Sequence, residues 1–228
     1  QVKIWKRGTD LSDAKEVFKG KEEDMGIWGY TLPTENKIYQ LITRRTSFYS
    51  GDYYFIEKDK LVKLNVPDDI ELNTVFQNKV IFQLKSDWEV DNQNFAQGAV
   101  ISIGYNDLID GKNNFELVVE PDEKSSISGM TNTKNQLLVN MLNNVKSELY
   151  AYEWNNGWQK KQVNAPDFGT ISLGASDDFS DSYFFYFQNF LEPSTLFYGN
   201  AETGEFTKVK SLPSWFDTED FEVKQFEA

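Results

Sequence analysis

Short strand-like segments closed by turns recur along the whole sequence, and this recurrence limits the possible folds more than any other feature. The closing segments start near Ala14, Leu61, Phe115, Trp158 and Glu205, at spacings of about 47, 54, 43 and 47 residues. Such spacings are typical of four-stranded propeller blades. The pattern therefore predicts an all-β fold, an incomplete β-propeller of about four four-stranded antiparallel blades plus strands of a partial blade.

The predicted blade boundaries follow the prolines and turns. Residues 1–20 end one blade, and residues 214–228 start a return strand. Four successive blades are predicted between them, at residues 21–67, 68–121, 122–166 and 167–213. A hairpin around Asp91-Asn92 is inserted in the second of these blades. A stack of separate hairpins or a β-sandwich would show turns just as often, and both stay open as alternatives.

The segment from Lys134 to Tyr152 fits two structures. Its apolar residues fall at the spacing of an amphipathic helix. A hairpin that turns at Asn143-Asn144 keeps the segment in register with the other blades, and asparagine tolerates such turns. We predict the hairpin; a continuous helix from Asn135 to Leu149 would contradict the four-blade count.

Composition excludes several kinds of chemistry. The 228 residues contain no His and no Cys, so this chain alone offers no Ser-His-Asp triad, thiol nucleophile or Cys-based metal site. The net charge of −13 argues against binding to nucleic acid or to anionic lipid. We therefore expect no nucleic-acid partner and no membrane association.

The two ends of the sequence resemble cuts through a longer protein. The chain begins at Gln1 in a strand-like segment, and the alternating stretch Phe221–Phe226 stops without a turn. No segment resembles a signal sequence or has the apolar length of a membrane span. A fragment is expected, and its localisation stays open, since a cytoplasmic and a periplasmic protein fit equally well.

Sequence motifs for catalysis are absent. Ser172 and Ser102 lie in the nearest approaches to a nucleophile elbow, but each lacks the first glycine and lies in a predicted strand. No phosphate-binding or dinucleotide-binding glycine motif occurs. No catalytic residue, no cofactor-binding residue and no cofactor is therefore predicted.

Two loops carry clustered carboxylates. One contains Asp177, Asp178 and Asp181, and the other contains Asp68 and Asp69. Such loops suit a glycosidase acid–base pair or a calcium ion, but neither has the spacing of a recognisable calcium loop. Solvated turns on an acidic protein explain them best, and no metal site is predicted.

Six tryptophans invite comparison with a sugar-binding site. Aromatic residues at strand ends of all-β proteins more often pack between sheets. This applies to Trp5, Trp28, Trp88, Trp154, Trp158 and Trp215, and no ligand is needed to explain them.

Several short segments of the sequence are characteristic of one protein family. The most specific are Phe190–Phe197 and Leu212–Asp217. The others are Trp5–Thr9 with Leu11-Ser12, Ala14 and Val17-Phe18; Leu61–Leu64 with Val66–Asp69; Leu84–Trp88; and Asn144–Ser147. Together they resemble the propeller domain of prolyl oligopeptidase-type serine peptidases, in a bacterial subgroup, and the resemblance spans nearly the whole chain.

This resemblance implies a function that the residues alone do not reveal. Members of the family join a seven-bladed propeller to a C-terminal α/β-hydrolase domain with a Ser-Asp-His triad, and they cleave short peptides, typically after proline. The propeller restricts access to the active site. The chain would be the later part of such a propeller, inactive by itself, with Phe221–Glu227 leading back to the hydrolase domain.

Two further expectations complete the sequence-based interpretation. The alternative function is a stand-alone propeller or sandwich that binds carbohydrate or protein. An incomplete propeller also leaves free strand edges, which favours edge-to-edge dimers.

Overall fold

The computed structural model describes residues 1–224 and 226. Within them the chain forms twenty strands, one short α-helix and one 3₁₀ turn at Leu11–Asp13. The prediction of an all-β fold is therefore confirmed.

Most strands belong to four-stranded sheets. Three sheets are meanders in which consecutive strands pair antiparallel: β3-β4-β5-β6, β13-β14-β15-β16 and β17-β18-β19-β20. The fourth has the order β7-β8-β11-β12, and the separate hairpin β9-β10 interrupts it. The strand bounds are β1 Val2–Ile4, β2 Lys15–Phe18, β3 Gly26–Pro33, β4 Ile38–Arg45, β5 Gly51–Glu57, β6 Lys60–Lys63, β7 Glu71–Phe76, β8 Lys79–Gln83, β9 Trp88–Val90, β10 Gln93–Phe95, β11 Val100–Gly104, β12 Glu116–Val119, β13 Ser125–Asn132, β14 Leu137–Asn143, β15 Lys146–Trp154, β16 Trp158–Gln162, β17 Thr170–Ser176, β18 Ser182–Gln188, β19 Thr195–Asn200 and β20 Phe206–Ser211.

The chain divides into two compact units, residues 1–97 with 101–116 and residues 98–100 with 117–228. The first unit has an aromatic centre in which the ring of Tyr105, from helix α1 (Tyr105–Ile109), lies 4.7 Å from that of Tyr39 and 5.0 Å from that of Phe55. Ile42 and Phe55 are fully buried.

The core of the second unit lies between its two sheets. Leu138 and Leu149 of one sheet pack in the same cluster as Tyr183, Phe185 and Phe187 of the other. Phe185 stacks on Phe197 at a centroid distance of 5.0 Å. The aromatic run of β18 is therefore a packing element.

One glycine is required by this packing. Gly199 pairs with Tyr183 across β19 and β18, and a Cβ at position 199 would lie 2.6 Å from the tyrosine ring. No side chain can be accommodated at that distance. The ring therefore lies against the backbone of β19.

The segment Lys134–Tyr152 is a hairpin, as predicted. Strands β14 and β15 pair from Asn143↔Lys146 to Leu137↔Tyr152, and Asn144 has a left-handed φ of 54° in the turn. Residues 137 to 141 of β14 are all buried, so both faces of this strand are covered. A strand with two buried faces has no polar alternation, which explains why its sequence imitated a helix.

In the part of the chain that the structure describes, three hairpins turn on pairs of non-glycine residues with positive φ. The predicted insertion turns at Asp91-Asn92, with φ values of 48° and 62°, and Lys58-Asp59 and Gln77-Asn78 have the same geometry. Two consecutive left-handed residues form the turn whose twist matches that of the flanking strands. Asp and Asn are common in such turns, whereas Lys and Gln are not.

The segment after β20 differs from the expectation. Its described residues, 212–224 and 226, form no strand, and the ring of Phe216 contacts that of Phe221 at 6.3 Å. Of the expected return strand Phe221–Glu227, Gln225 and Glu227 lie outside the described residues, as does Ala228.

The core of the second unit generates a stability prediction. Phe185→Ala should lower the free energy of unfolding by about 3–5 kcal/mol, because it leaves a cavity in a fully buried aromatic cluster. Tyr186→Ala is the matched control, since this neighbouring ring is 44% exposed and should cost less than about 1 kcal/mol. Urea unfolding of both variants measures the difference. Equal losses would contradict the assignment of Phe185 to the core.

Candidate functional site

The aspartates that the sequence grouped in one loop have different surroundings. Asp177 is exposed and accepts hydrogen bonds within its own loop, from the backbone N–H of Phe179 at 3.0 Å and from Ser180 Oγ at 2.7 Å. These two bonds lower the pKa of Asp177. Asp178 is also exposed and accepts a hydrogen bond from Asn132 Nδ2 at 2.6 Å.

Asp181 is buried and connects two sheets. Its carboxylate accepts hydrogen bonds from Thr133 Oγ1 at 2.8 Å, from the backbone N–H of Asn135 at 2.9 Å and from Asn135 Nδ2 at 2.7 Å. Thr133 and Asn135 belong to the turn between β13 and β14, whereas Asp181 precedes β18. The prediction of a solvated turn is therefore wrong for Asp181, which fastens one meander to the next.

The remaining candidates have ordinary structural surroundings. Ser102 and Ser172 lie within β11 and β17, as predicted, and Ser102 is fully buried. Asp69 accepts a hydrogen bond from Ser86 Oγ at 2.7 Å, and Asp68 is exposed. No cluster of three or more acidic residues among residues 1–224 and 226 is arranged to hold a metal ion. In the same part of the chain, no helix has the length and apolarity to span a bilayer.

The tryptophans divide into packed and exposed residues. Trp88 contacts the ring of Phe115 at 4.8 Å, and Trp154 contacts Trp158 at 5.6 Å. The other three are 45% or more exposed: Trp5, Trp28 and Trp215. Packing therefore explains only half of the tryptophans.

Two adjacent arginines on β4 lie in contrasting surroundings. Arg44 contacts Asp24 through Nε and Nη2 at 2.7–3.0 Å and Asp52 through Nη1 at 3.2 Å. Arg45 instead donates to the hydroxyl of Tyr53 at 3.2 Å. Successive residues of a strand point to opposite faces of the sheet, so the two guanidinium groups lie on opposite faces.

Arg45 borders a groove of about 390 Å³ in the first unit. Trp28 and Tyr30 of β3, which are 45% and 47% exposed, line it together with Tyr53 of β5 and residues 71–73 of β7. A Cβ at Gly26 would lie 2.2 Å from the Trp28 ring, so only glycine lets this ring lie back against the strand. Sequence reasoning missed this groove; the adjacent arginines in a strand-like stretch were the available signal.

A second groove, of about 660 Å³, lies in the second unit where three turns meet. Val145, Phe168 and Phe190 come from these turns and are 71%, 43% and 88% exposed, and Val223 of the C-terminal segment also lines the groove. Phe168 adopts a left-handed φ of 55°, and Lys146 Nζ lies 4.8 Å from the centre of its ring. Three exposed apolar side chains on neighbouring turns are typical of an interaction surface.

Repeated four-stranded meanders with a hairpin inserted in one of them define a propeller-type β protein. The chain matches the family model described as the prolyl oligopeptidase N-terminal β-propeller domain over residues 1–212. It therefore belongs to the prolyl oligopeptidase family. This result excludes the β-sandwich alternative and confirms the resemblance seen in the sequence.

The chain is also similar to individual members of the family. It is 32% identical to the uncharacterized peptidase y4nA of Sinorhizobium fredii and 25% identical to the uncharacterized peptidase RP174 of Rickettsia prowazekii, over 99% of its length in each case. It covers 32% of each of these proteins. A post-proline cleaving enzyme from Rickettsia typhi has the same fold, with 23% identity, a TM-score of 0.85 and coverage of 96% of this chain and 33% of that one.

The Asp24–Arg44 pair predicts a dependence of stability on pH. The hydrogen bonds from Arg44 hold the pKa of Asp24 below its ordinary value. The stabilisation is therefore present above the unfolded pKa of about 4 and is lost as the pH falls through the lower folded pKa. Asp24→Asn should be less stable than wild type at pH 7 and should lose less stability on acidification below about pH 5.

Urea unfolding between pH 7 and pH 3 measures this effect. Asp13→Asn, at an exposed position, serves as the control and should follow the wild-type curve. An Asp24→Asn curve that stays parallel to wild type down to pH 3 would contradict the assigned role of the pair.

Proposed function

We propose that the chain is the later part of the propeller of a prolyl oligopeptidase-like serine peptidase. In this proposal the propeller restricts the access of peptides to an active site in an α/β-hydrolase domain of the same protein. The observation that carries it is the family match over residues 1–212, in a chain that spans about a third of the relatives' length. The chain itself has no catalytic role in this proposal.

Restriction of access requires blades that do not separate, and the second unit supports this. Asp181 fastens its two meanders at one end. Asn140 Nδ2 donates to the carbonyl of Ile171 at 2.7 Å and fastens β14 to β17 within the buried interface. Hydrogen bonds to a charged group contribute about 1.5–3 kcal/mol each, so such ties hold the sheets together against transient opening.

The groove formed by Val145, Phe168 and Phe190 is the surface we assign to the hydrolase domain. Its apolar side chains are exposed in this chain, and its lining includes Val223 of the segment that follows the last strand. Covering three such side chains would remove apolar surface from water and stabilise the contact. The Phe190–Phe197 phrase, specific to the family resemblance, would then include an interdomain contact residue.

The first test compares two proteins in one peptidase assay. The product of the full-length gene should cleave a short proline-containing peptide, whereas the 228-residue chain should be inert. Activity in the 228-residue chain would overturn the proposal, as would a full-length protein that cleaves no such peptide.

The second test asks whether the ties between sheets control access. Asp181→Ala in the full-length protein should raise cleavage of a long unfolded polypeptide relative to a short peptide about tenfold, because weakening a tie by at least 1.4 kcal/mol raises the open population by about that factor. Asp177→Ala, in the same loop but bonded only within it, should leave the ratio unchanged. Thr133→Val removes one of the hydrogen bonds to Asp181, together with the two that Thr133 Oγ1 forms with the backbone of Gln136, and keeps the test valid if Asp181→Ala fails to fold. An unchanged ratio in folded Asp181 and Thr133 variants would contradict access control.

We also propose edge-to-edge dimers, from the two-stranded sheet β1-β2 in the first unit. Strand edges without partners pair readily with other chains. Sedimentation of the 228-residue chain over a wide range of concentrations should show dimers at the high end. A strictly monomeric profile throughout would contradict this expectation.

A further inference from the structure

Arg45 is a cation at the edge of the first unit's groove. Among residues 1–224 and 226, no carboxylate oxygen lies within 4.0 Å of its guanidinium, whereas Arg44 on the opposite face has two aspartate partners. The chain has 36 acidic and 23 basic residues, so an acidic partner was readily available. What distinguishes Arg45 is its half-buried position at the edge of a groove lined by aromatic rings.

Among residues 1–224 and 226, Glu71 is the one acidic residue that lines the groove, and it is already paired. Glu71 Oε2 lies 2.6 Å from Lys85 Nζ. Its charge is therefore compensated by Lys85, and Arg45 keeps its own positive charge. A carboxylate entering the groove would meet this guanidinium beside a neutralised glutamate.

The Arg45 guanidinium is oriented by its surroundings within the sheet. Its cross-strand neighbours on β3 and β5 are Gly26 and Gly51; the Trp28 ring lies over Gly26, and a Cβ at Gly51 would lie 3.0 Å from Arg45 Cδ. The hydroxyl of Tyr53 accepts one hydrogen bond from Arg45 and is itself held by the backbone of Ile70 and Leu72. A guanidinium has five N–H donors in a fixed plane, so donors remain for a bidentate bond to a carboxylate.

Aromatic rings stand beside this cation. Trp28 and Tyr30 lie on the same face of the sheet as Arg45. Their cross-strand partners Thr43 and Leu41 are two and four residues before Arg45 on β4, and every second residue of a strand points to the same face. Both rings are about half exposed and line the same groove. The groove therefore combines an apolar wall with one positive charge.

We propose that this groove binds the C-terminal end of a short peptide. The terminal carboxylate pairs with the guanidinium of Arg45, and the last apolar side chain packs on Trp28 and Tyr30. This inference rests on the proposed function, since a peptidase of this kind holds short peptides and releases them as products. The groove therefore binds a peptide by its C-terminal residue. An internal segment of a peptide has no terminal carboxylate and cannot form this ion pair.

Size and charge both favour a chain end. A volume of about 390 Å³ is near the lower limit of small-molecule sites and suits one or two residues better than a long segment. The net charge of −13 repels anions in general, so a carboxylate that reaches this groove gains from Arg45 an attraction that most of the surface does not offer.

The test measures binding by the 228-residue chain and therefore does not depend on hydrolysis. The tripeptide Ala-Pro-Phe with a free carboxylate is titrated by calorimetry against the same tripeptide with a C-terminal amide. Wild type should bind the free acid about tenfold more tightly than the amide, since charged bidentate pairs are stronger than neutral bonds. Arg45→Gln should abolish this difference, and Arg45→Lys should retain part of it.

Two further variants separate the parts of the site. Trp28→Ala should weaken the acid and the amide by the same factor, because it removes only the apolar contact. Arg7→Gln makes the same change of charge at an exposed arginine outside the groove and should leave both affinities unchanged. Circular dichroism of each variant verifies the fold, and Arg45→Lys keeps the test decisive if Arg45→Gln unfolds.

Several outcomes would overturn the inference. Equal affinity of wild type for the acid and the amide would exclude carboxylate recognition, and undetectable binding of both would exclude a peptide site. Inorganic phosphate that binds as tightly as the tripeptide, with no effect of Trp28→Ala, would indicate a general anion site. Peptide cleavage by the full-length protein together with no binding here would reject the groove and leave the proposed function intact.

Discussion

Burial of both sheet faces is the constraint on which the second unit depends. Strand β14 is buried on both sides, and β18 contributes Tyr183, Phe185 and Phe187 to the same cluster. A four-stranded meander with apolar residues on both faces cannot bury these residues by itself and needs a packing partner on each face. The hydrogen bonds of Asp181 and Asn140 between the two sheets are secondary to this burial. They set the register of a contact that the burial of apolar side chains already requires.

The pattern of strands and turns was largely predictable from the sequence, because turns depend on the residues that form them. Asp91-Asn92 and Asn144 favour positive φ through their own side chains, and the structure has turns at these positions. Lys58 and Gln77 adopt the same conformation without such preference, so only the paired strands around them impose it. The hairpin at 134–152 was predictable only through the register of its neighbours, since its own periodicity favoured a helix.

The candidate site was much less predictable than the fold. Asp177 and Asp181 are four residues apart in one acidic loop, yet one is exposed and the other buried between sheets. Both accept hydrogen bonds, but the donors to Asp181 come from a turn more than forty residues earlier in the chain, whereas the donors to Asp177 lie in its own loop. The same holds for Arg44 and Arg45, whose identical side chains face different partners because a strand alternates. Residue type therefore indicated where charge lies, and only tertiary structure showed whether that charge is satisfied.

The hairpin β9-β10 has a consequence for how much change this sheet tolerates. It extends from the connection between β8 and β11, which are neighbours in one sheet, so the sheet keeps its pairing while the connection grows. It is secured by its own small contacts, with Trp88 on Phe115 and Asn113 Nδ2 on Asp91 at 3.0 Å. A connection of this kind can take up additional residues, charge and contacts without altering the strand order of the sheet that carries it.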